Sequence, residues 1–85
     1  MEFDKKEILS RLCYTDLVYG RIRKKLGMHI PNDEIEHFIY ALIAETAREH
    51  VQIIGKNYYV HNKAKGIRIT INRNTYRIIT VDRMK

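Results

Sequence analysis

The sequence predicts an α+β domain in which two or three helices precede an antiparallel sheet of three or four strands. Three observations carry this expectation. Apolar residues recur at spacings of three and four through the first fifty positions, which is the period of a helix. After His50 the spacing changes to alternation, which is the period of a strand. Turn-forming residues at Gly55, Asn62–Gly66 and Arg73-Asn74-Thr75 then divide the basic end of the chain at hairpin intervals. At 85 residues this is one domain, helical over 1–50 and sheet-forming over 51–85. A chain of this size buries roughly two-thirds of its unfolded surface, which leaves little core to spare for enclosing a large cofactor, and none is expected.

The first helical stretch runs from Phe3 to Leu26, with Ile8, Leu9, Leu12, Cys13, Leu17, Val18, Ile22 and Leu26 as its apolar stripe. Thr15 followed by Asp16 has the form of an N-cap with a first-turn acid, so the stretch should break near Tyr14 into two helices. Arg21-Ile22-Arg23-Lys24-Lys25-Leu26 followed by Gly27 suits a helix C-terminus, and those cations either complement the helix dipole or contact phosphate. Met28 to Asn32 is a linker containing the sole proline, Pro31. Asn32 should cap the next helix, which carries Ile35, Phe38, Ile39, Leu42, Ile43 and Ala47 on one side and continues to about Glu49. This helix is expected to cross the sheet.

Strands are expected at Val51–Ile54, Asn57–His61, Ile67–Asn72 and Tyr76–Asp82. In Ile67-Arg68-Ile69-Thr70-Ile71-Asn72, alternation places three isoleucines on one face and Arg68, Thr70 and Asn72 on the other. The register of the final hairpin then decides which side chains share that second face. A three-residue turn sets Tyr76, Thr80 and Asp82 beside Arg68 and Thr70, and sends Ile79 and Val81 into the core. A two-residue turn flips the last strand, turning Tyr76 inward and Arg77 toward Thr70. The first register is preferred because Ile79 and Val81 extend the buried set. It leaves Ile78 facing outward and Arg77 at the rim.

Charge is distributed unevenly. Residues 1–54 hold eight Lys/Arg against nine Asp/Glu, a net of −1, whereas residues 55–85 hold eight against Asp82 alone, a net of +7. Such asymmetry is the footprint of a polyanion-binding surface, because neutralising phosphates releases counterions. The ordinary alternative is that basic residues keep an exposed sheet soluble. No apolar run approaches the roughly 18 residues of a membrane span, and Met1–Ser10 is charged, so no membrane partner and a cytoplasmic location are expected. One cysteine, Cys13, excludes an internal disulfide and a thiol zinc cage, and reads as a small buried side chain. His37 and His50 lack a partner at ligand spacing, and the basic half has too few carboxylates for a divalent metal, so no metal site is expected.

Metal-independent RNA cleavage requires a base for the 2′-hydroxyl, an acid for the leaving oxygen and cations for the phosphate. Tyr59, His61, Arg68 and Thr80 are the candidate catalytic residues. Lys56, Arg68, Thr70, Asn72, Tyr76 and Arg77 are the candidate nucleic-acid contacts. Tyrosines among arginines serve equally well as base-stacking platforms, so composition does not separate cleavage from binding. Each residue also has a structural reading: one of Tyr58 and Tyr59 belongs in the core, and threonines favour strands regardless. Arg68, between isoleucines in mid-strand, is the least expected on structural grounds.

Leu12–Gly27 (LCYTDLVYGRIRKKLG), Ile54–Val60 (IGKNYYV) and Ile67–Arg83 (IRITINRNTYRIITVDR) together resemble a small bacterial domain family of unknown function. That resemblance implies the fold and the motif positions Tyr14, Thr15, Arg21, Lys56, Asn57, Tyr59, Asn72, Tyr76 and Thr80, without roles. More loosely, the element order and the phrases Ile69-Thr70-Ile71-Asn72 and Ile79-Thr80-Val81 are similar to the barnase, colicin and RelE-like ribonuclease toxins, although no glutamate sits in the basic half. The expected function is therefore an RNA-directed protein, with metal-independent endoribonuclease chemistry of toxin type as its catalytic form. The alternatives are a non-catalytic nucleic-acid-binding module, or an interaction module docking an acidic protein such as an antitoxin. A monomer or small homo-oligomer is expected.

Overall fold

Three helices and four strands follow one another in the computed structural model, which describes residues 4–84, so Phe3 and Lys85 lie outside the described residues. The elements are α1 (Lys5–Arg11), α2 (Asp16–Leu26), α3 (Asn32–Glu45), a single 3-10 turn (Arg48–His50), β1 (Val51–Ile54), β2 (Asn57–Asn62), β3 (Ile67–Asn72) and β4 (Ile78–Arg83). The strands form one antiparallel meander in the order β1-β2-β3-β4. This is the α+β architecture the sequence predicts.

Capping explains the helix boundaries. The Asp4 carboxylate accepts from the Glu7 N–H at 3.1 Å, and the Thr15 hydroxyl accepts from the Val18 N–H at 3.3 Å, so α1 and α2 start as separate helices. Gly27 closes α2 in the left-handed region at φ 65°, donating its N–H to the Arg23 carbonyl. Two expectations for α3 are corrected. Pro31, not Asn32, is its N-cap; Asn32 is the first helical residue and its side-chain oxygen accepts from the Arg23 guanidinium instead. The helix also stops at Glu45 rather than near Glu49, because Thr46 leaves the helical conformation and its hydroxyl turns back to donate to the Leu42 carbonyl at 2.6 Å.

The helices cover one face of the sheet. Ile8, Val18, Ile22, Leu26, Ile35, Ile39, Leu42 and Ile43 from the helices form a continuous buried cluster with Tyr58, Val60, Ile67, Ile69, Ile71, Ile78 and Val81 from the strands. α2 packs along β4, α3 lies over β2, and α1 packs on α3. Cys13 does not occupy this core. It is exposed, because the α1–α2 connector runs beside β4 as a parallel bridge in which the Cys13 N–H donates to the Tyr76 carbonyl at 3.1 Å and the Ile78 N–H donates to the Cys13 carbonyl at 3.0 Å.

The last hairpin follows neither turn expected from the sequence. Asn72 and Arg77 bracket a four-residue loop, with the Asn72 N–H donating to the Arg77 carbonyl at 2.9 Å. The Asn72 side-chain oxygen accepts from the Asn74 and Thr75 N–H groups, and Tyr76 adopts φ 60°. Pairing then runs Ile71 with Ile78 but Thr70 with Thr80, so Ile79 is the extra residue of a β-bulge. The bulge lets Ile78 and Val81 both face the core, although an odd spacing would separate them in a regular strand. Ile78, expected outside, is buried, and Ile79, expected inside, is half-buried.

Asn62, placed in a turn by the sequence reading, is a buried clamp. Its amide donates to the Leu42 carbonyl at 3.1 Å and to Glu45 Oε2 at 2.8 Å, while its oxygen accepts from the Lys65 N–H at 2.9 Å. It ties the end of α3 to the β2–β3 turn. Asn62→Ala is expected to destabilise the domain by about 1–3 kcal/mol, the cost of leaving buried polar groups unpaired. A urea titration checks this: the midpoint should fall with the slope unchanged, and a shift worth less than about 0.5 kcal/mol would contradict the clamp.

Candidate nucleic-acid interface

Because the helices cover only one face, the residues alternating with the core form a polar outer face. Strand pairing arranges them in rows. His61, Arg68 and Asp82 make one row, and Gln52, Tyr59, Thr70 and Thr80 make the next. Asn57 pairs with Asn72 in a third, and alternation from Ile78 sets Arg77 beside them at the start of β4. Neighbours within a row lie about 5 Å apart and successive rows about 7 Å apart, so a single ligand can touch several of these groups.

The candidate residues are therefore largely brought together. Tyr59 faces outward while Tyr58 is buried, and the Tyr59 hydroxyl accepts from the Asn57 amide at 3.4 Å. Thr70 lies at the centre and is only 5% exposed, because its own row and the rows on either side enclose it. Thr80 is opposite Thr70, and Asp82 is opposite Arg68. Lys56 is exposed at the tip of the β1–β2 hairpin, where its carbonyl accepts from the Arg73 N–H at 2.8 Å. It stands at the end of the face, not within it.

Tyr76 is the exception and corrects the expectation that it shares the face of Arg68. Its left-handed backbone turns the ring toward α1, where its hydroxyl donates to Glu7 Oε1 at 3.3 Å and the Arg11 guanidinium stacks over the ring at 5.6 Å. Partial shielding from water and the Glu7 carboxylate hold its phenol above the ordinary range. Asn72 remains on the outer side, but its oxygen is engaged in the turn.

Three cations missing from the candidate set belong to this region. Arg21, Lys24 and Lys25 of α2 line a groove of about 850 Å³ against β4, together with Leu17, Gly20, Ile79 and Thr80. Leu17, read as part of the apolar stripe, is 80% exposed at its edge. The signal was present in the i, i+3, i+4 spacing of 21, 24 and 25, which puts them on one side of a helix. What could not be read was which side meets the sheet.

Asp82 gathers the positive charge. Lys25 hydrogen-bonds its Oδ1, and Arg68 Nη2 lies 3.6 Å from its Oδ2. The Lys25 hydrogen bond and charge, then Arg68, hold its carboxyl below the usual range. These groups are partly exposed, so the pair adds little to stability. Two polar atoms on this face are shielded from water and lack any partner: Arg68 Nε and Thr80 Oγ1. Such atoms are uncommon in folded proteins.

His61 lies opposite Arg68, and its Nε2 is 3.2 Å from Gln52 Oε1. Partial burial, then the charges of Arg68, Lys63 and His50, hold its imidazole below the ordinary value of 6.5. It is neutral at pH 7 and able to accept a proton. Among the described residues, no group of three or more His, Cys, Asp or Glu is placed to hold a metal ion, and no helix is long and apolar enough to cross a membrane.

The fold and this surface define a class: a small α+β domain that packs its helices on one side of an antiparallel sheet and presents a cation-flanked polar face on the other. The chain belongs to a family described as protein of unknown function (DUF3781), whose model matches residues 6–82. This agrees with the family resemblance carried by Leu12–Gly27, Ile54–Val60 and Ile67–Arg83. No curated protein and no solved structure matches the chain, so the looser similarity to ribonuclease toxins gains no support.

Titration of the His61 ring by NMR should give a midpoint below 6.5, and Arg68→Gln should raise it by removing a neighbouring cation. The unfolded imidazole binds its proton at higher pH than the folded one. The His61 contribution to stability is therefore full above about pH 6.5 and declines as pH falls through the folded-state midpoint. A midpoint at or above 6.5 in the native protein would contradict this environment.

Proposed function

We propose that the protein binds single-stranded RNA, with the phosphate backbone following the groove between α2 and β4 and a base stacked on Tyr59. The observation that carries this reading is the open face on which Arg68 and Tyr59 stand beside the groove lined by Arg21, Lys24 and Lys25. A phosphate oxygen would accept from the exposed part of the Arg68 guanidinium, whose side chain is 42% exposed. Arg68 is held to Asp82 only at the 3.6 Å of an ion pair, so its fork can turn to such a ligand. An aromatic ring on a sheet, flanked by cations, is the usual platform for unpaired bases.

A second reading, cleavage of the bound strand, is favoured by His61. A neutral imidazole opposite Arg68, with Tyr59 two residues along the same face, supplies a base, a phosphate cation and an acid. In this reading His61 takes the 2′-hydroxyl proton, the 2′-oxygen attacks phosphorus, and Tyr59 protonates the departing 5′-oxygen. No metal is required for that step.

Anisotropy titration of a labelled single-stranded RNA over a range of salt tests the binding. Affinity should fall with salt, and Arg68→Ala and Lys24→Ala should each weaken binding and lower the slope by about 0.7. Tyr59→Ala should cost about 1–3 kcal/mol. Variants that bind like the native protein, or equal binding of heparin and duplex DNA, would overturn the proposal. Incubation of RNA in EDTA tests cleavage separately: products from the native protein and none from His61→Gln are expected. Binding without product would eliminate only the catalytic reading.

Gly20 offers an independent check. A Cβ added there meets no atom within 4 Å, so Gly20→Ala should stabilise α2 by about 1 kcal/mol. The methyl group sits in the groove lining and should weaken RNA binding at the same time. Stabilisation with unchanged affinity would move the RNA path away from α2.

A further inference from the structure

On the helical side, a separate cavity of about 170 Å³ lies between the end of α1, the α1–α2 connector and α3, lined by Leu9, Leu12, Tyr14, Glu36, His37 and Tyr40. The Cys13–Arg77 bridge pins the connector to β4, and the next residue, Tyr14, turns back toward the helices. Its ring stacks on Tyr19 with centroids 5.2 Å apart and planes 11° from parallel. The Tyr19 hydroxyl donates to Glu36 Oε2 at 2.6 Å, which fixes the carboxylate beside the cavity. The Tyr14 hydroxyl is shielded from water and has no partner. Phenylalanine would provide the same stacking and packing without leaving a hydroxyl unpaired, so packing alone does not account for tyrosine at this position.

We propose that this cavity binds a small alkylammonium compound. Its carbon chain would rest on Leu9 and Leu12, and its head would sit between the Tyr14 and Tyr40 rings against the Glu36 carboxylate. Size and charge select this class. Drug-sized ligands occupy about 300–1,000 Å³, so the cavity admits only a few heavy atoms. Two tyrosine rings and a carboxylate favour a cation, through the ring quadrupoles and a charge-assisted hydrogen bond. The field agrees: burial and then the Glu36 charge push the Tyr14 phenol well up, and burial with the Glu36 hydrogen bond pushes Tyr19 up to about 12. Both phenols stay protonated, and a further anion is disfavoured. Bare divalent ions lack a ligand set, since Glu36 and His37 are too few.

The test uses the full chain with n-butylammonium chloride, against sodium chloride and n-butanol as controls. Amide shifts of Leu9, Tyr14, Glu36 and Tyr40 should saturate with the amine, and its addition should raise the melting temperature. Glu36→Gln should weaken binding about tenfold or more. Without amine, Tyr14→Phe should be at least as stable as the native protein, because no hydroxyl is left unpaired. Equal shifts with butanol, undiminished affinity in Glu36→Gln, no shifts at all, or a less stable Tyr14→Phe protein would each overturn the assignment. Sheet-face variants such as Arg68→Ala should leave amine binding unchanged, since the cavity lies on the opposite side of the sheet; loss of amine binding there would also count against it.

Discussion

The domain rests on a limit of coverage: its three helices are enough to bury one face of a four-stranded sheet, and β3 is where that limit is most visible. Ile67, Ile69 and Ile71 are at most 4% exposed, in a core that also receives residues of all three helices. Each isoleucine alternates with a residue that must point the other way, so Arg68, Thr70 and Asn72 are held on the outer face by the burial of their neighbours. A one-residue slip would expose the isoleucines and bury the arginine. The outer face is thus positioned by the core itself.

The remaining strands inherit that orientation. β2 places Tyr59 and His61 beside Thr70 and Arg68, and the bulge at Ile79 allows β4 to keep Thr80 and Asp82 outward while both Ile78 and Val81 are buried. Bulges re-aim side chains in this way without breaking the sheet. Asp82 then serves as an internal counterion for Lys25 and Arg68, drawing α2 and β3 toward one point. It balances part of the positive charge on that side of the sheet.

The motif positions that the resemblance implies fall into two spatial groups. Arg21, Asn57, Tyr59, Asn72 and Thr80 lie on or beside the outer face, with Lys56 at its tip. Tyr14, Thr15 and Tyr76 lie at the junction of the helices with the last hairpin, where Thr15 caps α2 and Tyr76 packs against α1. The junction also carries the Cys13 bridge, which pairs with the start of the β4 edge. Residues in that second group act on helix placement and on the small cavity, not on the sheet face.

Periodicity and capping chemistry alone give the α+β class, the break near Tyr14, the close of α2 at Gly27 and the division of β3 into an apolar and a polar side, with three or four strands left open. These depend on neighbours within about four residues, where periodicity and capping chemistry operate. The sequence also places Thr80 and Asp82 on the face of Arg68 and Thr70, which the structure shows, although through a bulge at Ile79 and not through the expected three-residue turn. The inward turn of Ile78, the departure of Tyr76 to α1, the exposure of Cys13 and the buried role of Asn62 were decided only by tertiary structure. So was the gathering of Arg21, Lys24 and Lys25 against Thr80. The Asn62–Glu45, Cys13–Arg77 and Tyr76–Glu7 contacts among them join residues 17 to 69 positions apart. A local pattern specifies which residues share a face, but the packing of that face against another element decides which groups meet.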